Sequence, residues 1–189
     1  MKKKLVYGIA LIIVFGGGKF VYDKHINHNF KEISENKVYK SGVIPPDQIA
    51  DYVEDYNLKS IIDLRFPGTE DLVNNPEIPA ELLAEKNAIE NIEGVQYINL
   101  GTDQVPTQAT VDKFLEIMDD QSNYPVLIHC HHGEGRAPLF SALYRIEYEN
   151  WTNEDARAKT RLLLNGSSFD DGAPKGDFLM NYQPKRTQQ

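Results

Sequence analysis

The sequence predicts an α/β fold: a central, mostly parallel sheet of four to five strands flanked by helices in a three-layer sandwich. Two observations carry that reading. Short apolar runs, each closed by Gly, Pro or Asn, alternate along the chain with stretches whose apolar residues recur at helical spacing. No internal repeat or long low-complexity segment interrupts the alternation.

The elements follow in order. Met1 to Lys4 is basic and Leu5 to Gly18 is uncharged, so residues 1–22 read as an export signal or a signal anchor. With the lysines held inside, residues 5–22 would anchor the chain and everything after them would lie outside the cytoplasm. There is no clean A-x-A site, so cleavage and anchoring both stay open. Residues 23–37 are polar and read as a linker, with His25 and His28 as exposed spacers. One folded domain, 38–189, follows. Val38 to Ser41 is a short strand closed by Gly42. Pro45 to Tyr56 is helical, with Ile49, Tyr52, Val53 and Tyr56 on one face. Ser60 to Leu64 is a buried strand ended by Pro67-Gly68. Asn74 to Pro79 is a loop, Ala80 to Glu90 a helix, Val95 to Leu100 a strand and Gly101 to Pro106 a loop. Thr107 to Asp119 is an amphipathic helix that buries Val111, Phe114, Leu115 and Met118. Val126 to His129 is the last strand. Helices over Ala137–Asn150 and Asn153–Leu164 complete the pattern, the first with Pro138 in its opening turn. The tail after Asn165 carries no functional pattern.

Composition narrows the chemistry. The 189 residues have a formal net charge of −8, which disfavours nucleic acid as a partner, so any anion site must be built locally. There is one cysteine, Cys130, which excludes an internal disulfide and a multi-cysteine zinc site. No metal or cofactor is implied.

That cysteine opens the run His129-Cys130-His131-His132-Gly133-Glu134-Gly135-Arg136-Ala137-Pro138, between an apolar strand and a helix. Five residues between Cys130 and Arg136 let the backbone curl into a bowl of inward amides. Gly133 and Gly135 permit the positive φ angles and close approach the bowl needs. The helix that starts at Arg136 adds its positive end. A thiol at the head of such a bowl has its anion stabilised. An Arg at the rim can fork onto two phosphate oxygens, as Lys cannot.

His129-Cys130, Gly133 and Arg136 match H-C-x-x-G-x-x-R, and the chain resembles the protein-tyrosine-phosphatase superfamily, in particular its compact dual-specificity-like branch. The resemblance implies a phosphatase of phosphorylated protein or of small phosphomonoesters, working through a cysteinyl-phosphate. Cys130 is then the nucleophile, Arg136 the clamp, residues 131–136 the phosphate-binding loop, and His129 a loop organiser. It also calls for a general acid from another loop at the same sheet edge. Asp103, just past Leu100, is the choice, with Asp112 as rival. His131 and His132 would favour an anion if protonated, whereas Glu134 opposes phosphate-rich ligands. Asp63 and Arg65 read as structural. Many relatives place Ser or Thr after the Arg, and its hydroxyl helps the sulfur leave; here Ala137 stands, as in the slow phosphatases of regenerating liver. Two other readings use the same loop: a pseudophosphatase that binds phosphate with little turnover, and a rhodanese-like sulfurtransferase.

Overall fold

A computed structural model describes residues 22–66, 76–161 and 166–186 of the chain. Five strands form one sheet: β1 (Lys31–Ser34), β2 (Val38–Ser41), β3 (Ser60–Asp63), β4 (Gln96–Asn99) and β5 (Val126–His129). Their spatial order is β1-β2-β5-β3-β4, parallel throughout except for the antiparallel pair β1–β2. Among the described residues six α-helices surround it: α1 (Ile49–Tyr56), α2 (Pro79–Glu90), α3 (Gln108–Asp119), α4 (Arg136–Tyr148), α5 (Asn153–Thr160) and α6 (Pro174–Asn181). The predicted α/β sandwich is what forms.

Local chemistry sets the helix ends. The side chain of Thr107 accepts from the Thr110 amide at 3.2 Å and that of Thr152 from the Asp155 amide at 3.1 Å, capping α3 and α5. Helix α1 stops at Asn57, whose φ of 51° is one that Asn tolerates well. Pro79 and Pro174 open α2 and α6, where a missing N–H costs nothing.

The period of two along each strand divides the core. Tyr39, Ile61 and Leu127 face α1 and α2, together with Phe30, Ile49 and Ile89. Val38, Ile62, Val126 and Ile128 face the other side, against Phe114, Phe140, Ala156 and Leu179. One row of the register ends four strands together: Ser41 opposite His129, His129 opposite Asp63, Asp63 opposite Asn99. The loops that follow these residues therefore meet at one sheet edge, where open α/β sheets place their sites.

One stretch differs from expectation. Residues read as linker contribute β1, with Lys31 opposite Lys40 and Glu32 opposite Tyr39. It is an edge strand with Lys31 and Glu32 exposed, so its composition looks like that of a spacer. Phe30 just before it is buried, 5.4 Å from the Tyr39 ring and 4.4 Å from that of Tyr56. His28 lies 3.0 Å from the Gln48 side-chain oxygen and joins no metal cluster among the described residues. The tail is also part of the domain, since Phe169, Leu179 and Tyr182 are buried in the main core. The N-terminal signal or anchor reading concerns residues almost wholly outside the described ones. Among those described, no helix is long and apolar enough to cross a membrane.

Candidate active site

Three consecutive carbonyls of the Cys130 loop are tied outward. The His131 oxygen accepts from the Val43 amide at 3.0 Å, the His132 oxygen from Asn29 Nδ2 at 2.8 Å, and the Gly133 oxygen from Lys40 Nζ at 2.7 Å. In a planar trans peptide the next N–H points opposite its carbonyl. The amides of His132, Gly133 and Glu134 are therefore turned to the inside of the loop. This is the bowl expected from the sequence, built by pulling its carbonyls out.

Gly133 has φ +69°, and a Cβ there would lie 2.5 Å from the Gly42 nitrogen and 2.6 Å from the Ser41 carbonyl carbon. Backbone cannot give way, so no side chain fits. Gly135 is different. Its φ is −119°, so it needs no left-handed freedom. A Cβ there would stand 3.0 Å from Lys175 Nζ and 3.3 Å from Gln104 Oε1, and the glycine makes room for those two groups.

Cys130 is a free thiol only 3% exposed, at the end of β5. With residues 132–136 it lines a groove of about 1200 Å³ that continues past Pro138, Ser141 and Arg145. Arg136 is buried and points inward. Its guanidinium donates to the Leu64 oxygen at 2.9 Å and the Thr102 oxygen at 3.2 Å, and it pairs with the Glu77 carboxylate. Glu77 also accepts from the Phe66 amide at 2.7 Å. Arg136 is thus held by the loops after β3 and β4 and by the segment before α2. No residue pattern near Arg136 announces Glu77; the sole local hint is an acid confined between Pro76 and Pro79.

Behind Cys130 lies a buried charge network. Arg65 reaches Asp63 through two hydrogen bonds of 2.9 Å and also pairs with Glu85. His129 Nε2 is 3.2 Å from Glu85 and 3.7 Å from Asp63, and the Tyr97 hydroxyl donates to Asp63 at 2.9 Å. Burial pushes the Asp63 carboxyl up, but His129 and Arg65 more than offset it and hold it below the ordinary value. Burial, then the Asp63 charge, pushes the Tyr97 hydroxyl up, so it stays a donor. Asp63, Glu85 and His129 lie close enough to hold a metal ion. Arg65 already spans both carboxylates, so the set reads as an ion-pair network that packs His129 under the loop.

Among the loop side chains, His131 is pushed down by burial and then by its neighbours His132 and Arg65. It is neutral near pH 7, which leaves its backbone as its contribution. Glu134 lies 3.4 Å from Asn29 Nδ2 on the rim. Lys40 is the nearby counterweight. Burial and then Lys31 bring its ammonium down to about 8, against the pull of Cys130, Glu134 and Asp23. It is still mostly charged at neutral pH. Ala137 is fully buried, and the nearest hydroxyl on its helix, Ser141 Oγ, is spent on the Ala137 oxygen at 2.8 Å. Asp103 lies exposed on the loop after β4, between buried Thr102 and groove-lining Gln104. Asp112 faces elsewhere, bonded to Gln108 at 3.0 Å and paired with Lys185.

Over residues 18–172 the chain matches the family described as a DSP-PTPase phosphatase fused to NAD+ kinase. The chain belongs to this phosphatase family. It is 33% identical over 64 residues to the dual specificity protein phosphatase TpbA of Pseudomonas aeruginosa (strain UCBPP-PA14), covering 33% of this chain and 29% of that protein. It is 30% identical over 84 residues to the protein tyrosine phosphatase PRL-1 of Trypanosoma cruzi (strain CL Brener), covering 42% and 46%. The match thus spans less than half the length of either relative. The phosphatase fold recurs in the crystal structure of P. aeruginosa TpbA, with a TM-score of 0.60 at 18% identity over 83% of this chain and 86% of that one. It recurs again in the core catalytic domain of the PP-IP phosphatase Siw14 from S. cerevisiae, with a TM-score of 0.62 at 23% identity over 82% and 85%.

Glu77 is the carboxylate that faces the Arg136 guanidinium. Glu77→Gln keeps the shape but removes the charge that faces Arg136. Its expected cost is about 1–3 kcal/mol of stability, read by urea unfolding, with weaker inorganic-phosphate binding read by calorimetry. Unchanged phosphate affinity would show that Glu77 only packs.

Proposed function

We propose that this chain is a cysteine-dependent phosphatase that hydrolyses phosphomonoesters, with phosphotyrosine in protein as the favoured substrate class. The observation that carries it is the bowl of outward-tied carbonyls, with the Cys130 sulfur at its head and a locked guanidinium at its rim. Inward amides and the start of α4 hold three phosphoryl oxygens while Arg136 takes two in a fork. Cys130 as thiolate attacks phosphorus, the S–P bond forms and the P–O bond to the leaving group breaks. Asp103 gives that oxygen its proton, then takes one from the water that cleaves the S–P bond. His129 positions the sulfur from the network behind it.

Phosphotyrosine is favoured on two grounds. The loop itself carries Glu134 and no lysine, which suits a single phosphoryl group better than a phosphate-rich one. The fold neighbour TpbA has also been crystallised with phosphotyrosine. Phosphate release is to be measured on a phosphotyrosine peptide, a phosphoserine peptide and inositol phosphates. The peptide with phosphotyrosine should turn over at least about tenfold faster, because its long arm carries phosphorus to a nearly buried sulfur. Faster release from inositol phosphates would overturn the substrate class but not the reaction. No release from any ester, with phosphate still bound, would leave the pseudophosphatase reading that Ala137 favours. Sulfur transfer from thiosulfate to cyanide would mark a sulfurtransferase instead.

The basic and apolar N-terminus supports an exported or anchored location for the catalytic domain, and possession of residues 5–22 in the mature chain decides between the two.

A further inference from the structure

Lys175 is buried beside the Cys130 loop. It is the second residue of α6, only 8% exposed, and its stem passes the Phe169 ring, with Nζ 6.0 Å from the ring centre. The turn before α6 fixes it tightly: a Cβ on Gly176 would lie 2.2 Å from the Asp170 oxygen, and the Ala173 amide donates to that same oxygen at 3.1 Å. The ammonium ends against Gly135, the residue that caps α4 immediately before Arg136.

Three positive groups meet there: the N-terminal end of α4, the Arg136 guanidinium, which Glu77 already faces, and the Lys175 ammonium, which no acid faces among the described residues. A buried lysine is ordinarily paired with an acid. Among the described residues Lys175 has only a neutral partner, the Gln104 side-chain oxygen at 2.7 Å. Burial pushes its ammonium down and Arg136 pushes it the same way, while the one group that pulls it up is Cys130. A cluster of this kind is relieved by an anion that enters between its members.

We propose that Lys175 is a second cationic clamp of the phosphate bowl, supplied from outside the Cys130 loop by the C-terminal helix. On arrival of a phosphoryl group its ammonium exchanges the Gln104 oxygen for a phosphoryl oxygen on the Gly135 side of the bowl, next to the groups held by Arg136. The proposal rests on the phosphatase reading of this site. It also accounts for a loop that lacks a lysine of its own in a chain of net charge −8. The bowl borrows its cations, Lys40 behind the Gly133 carbonyl and Lys175 beside Gly135.

The test measures inorganic phosphate binding by calorimetry on the full chain, so it does not depend on turnover. Lys175→Met should weaken phosphate by about 10- to 100-fold, the effect of losing one charge-assisted hydrogen bond. Lys175→Arg, which keeps the charge, should recover most of that loss. Gln104→Leu is the decisive control. It breaks the same hydrogen bond but leaves the ammonium, so phosphate affinity should stay within about twofold or improve. A Lys175→Met protein that binds phosphate as the parent does overturns the proposal. So does a Gln104→Leu protein that loses as much as Lys175→Met, because Lys175 would then only tie the loop to α6. Should Lys175→Met lose its cooperative melt, Lys175→Gln serves the same comparison with a polar head kept in place. A parent that binds no phosphate sinks both this inference and the phosphatase reading; one that binds phosphate but hydrolyses no ester sinks the reading of turnover alone.

Discussion

Cys130→Ser is expected to abolish phosphate release, by roughly 10⁴-fold or more, while phosphate binding and the fold survive. The two halves of that expectation have separate physical grounds. A serine hydroxyl at the head of the bowl is almost never ionised near neutral pH, so the inward amides have no anion to present to phosphorus. The bowl, however, is not held by the sulfur. Its shape comes from carbonyl contacts to Val43, Asn29 and Lys40 and from the Gly133 backbone, none of which the substitution touches. The proposed reaction sets an anionic sulfur against the phosphate dianion, so without that sulfur phosphate should bind at least as tightly to the variant. Phosphate release and calorimetry on the same preparation separate the two. A Cys130→Ser protein that keeps more than about a hundredth of the parent rate would mean that water attacks phosphorus directly.

The parts of this molecule that could be read from sequence are those whose cause is local. β2 and β5 were expected at Val38–Ser41 and Val126–His129, where they are found, because a short apolar run between turn residues has few alternatives. The Cys130 loop was legible because strand, glycine and helix start lie within a few residues of one another. What could not be read depends on contacts across long stretches of chain. Glu77 meets Arg136 across 59 positions and Lys40 meets Gly133 across 93. A buried lysine and a solvated one look the same in a list of residues, which is why a tail holding Lys175 carried no pattern. β1 is not legible for the related reason that an exposed edge strand of Lys-Glu-Ile-Ser has a linker's composition. Gly135 is legible as a place of positive φ or close approach; the close approach is what it serves, and that the group approaching is an ammonium is not legible.

Asp103→Asn should slow hydrolysis of a phosphotyrosine peptide by about 10²–10⁴-fold, the range for losing a positioned proton donor. The loop that carries Asp103 is fastened on both sides of it. The Thr102 amide donates to the Leu64 oxygen at 3.2 Å and its carbonyl accepts from Arg136, while Gln104 holds Lys175. Asp103 between them is exposed rather than packed away. The leaving group makes the assignment testable. An alkoxide or a phenolate of high pKa cannot depart without a proton, whereas a strongly acidic phenol departs as its anion. Asp103→Asn should therefore be severe on phosphotyrosine and mild, within about tenfold, on an aryl phosphate with an acidic leaving group. Equal slowing on both would mean the carboxylate shapes the bowl instead of donating a proton. Parent rates on both would place the acid on another group, with the attack by Cys130 left as it stands.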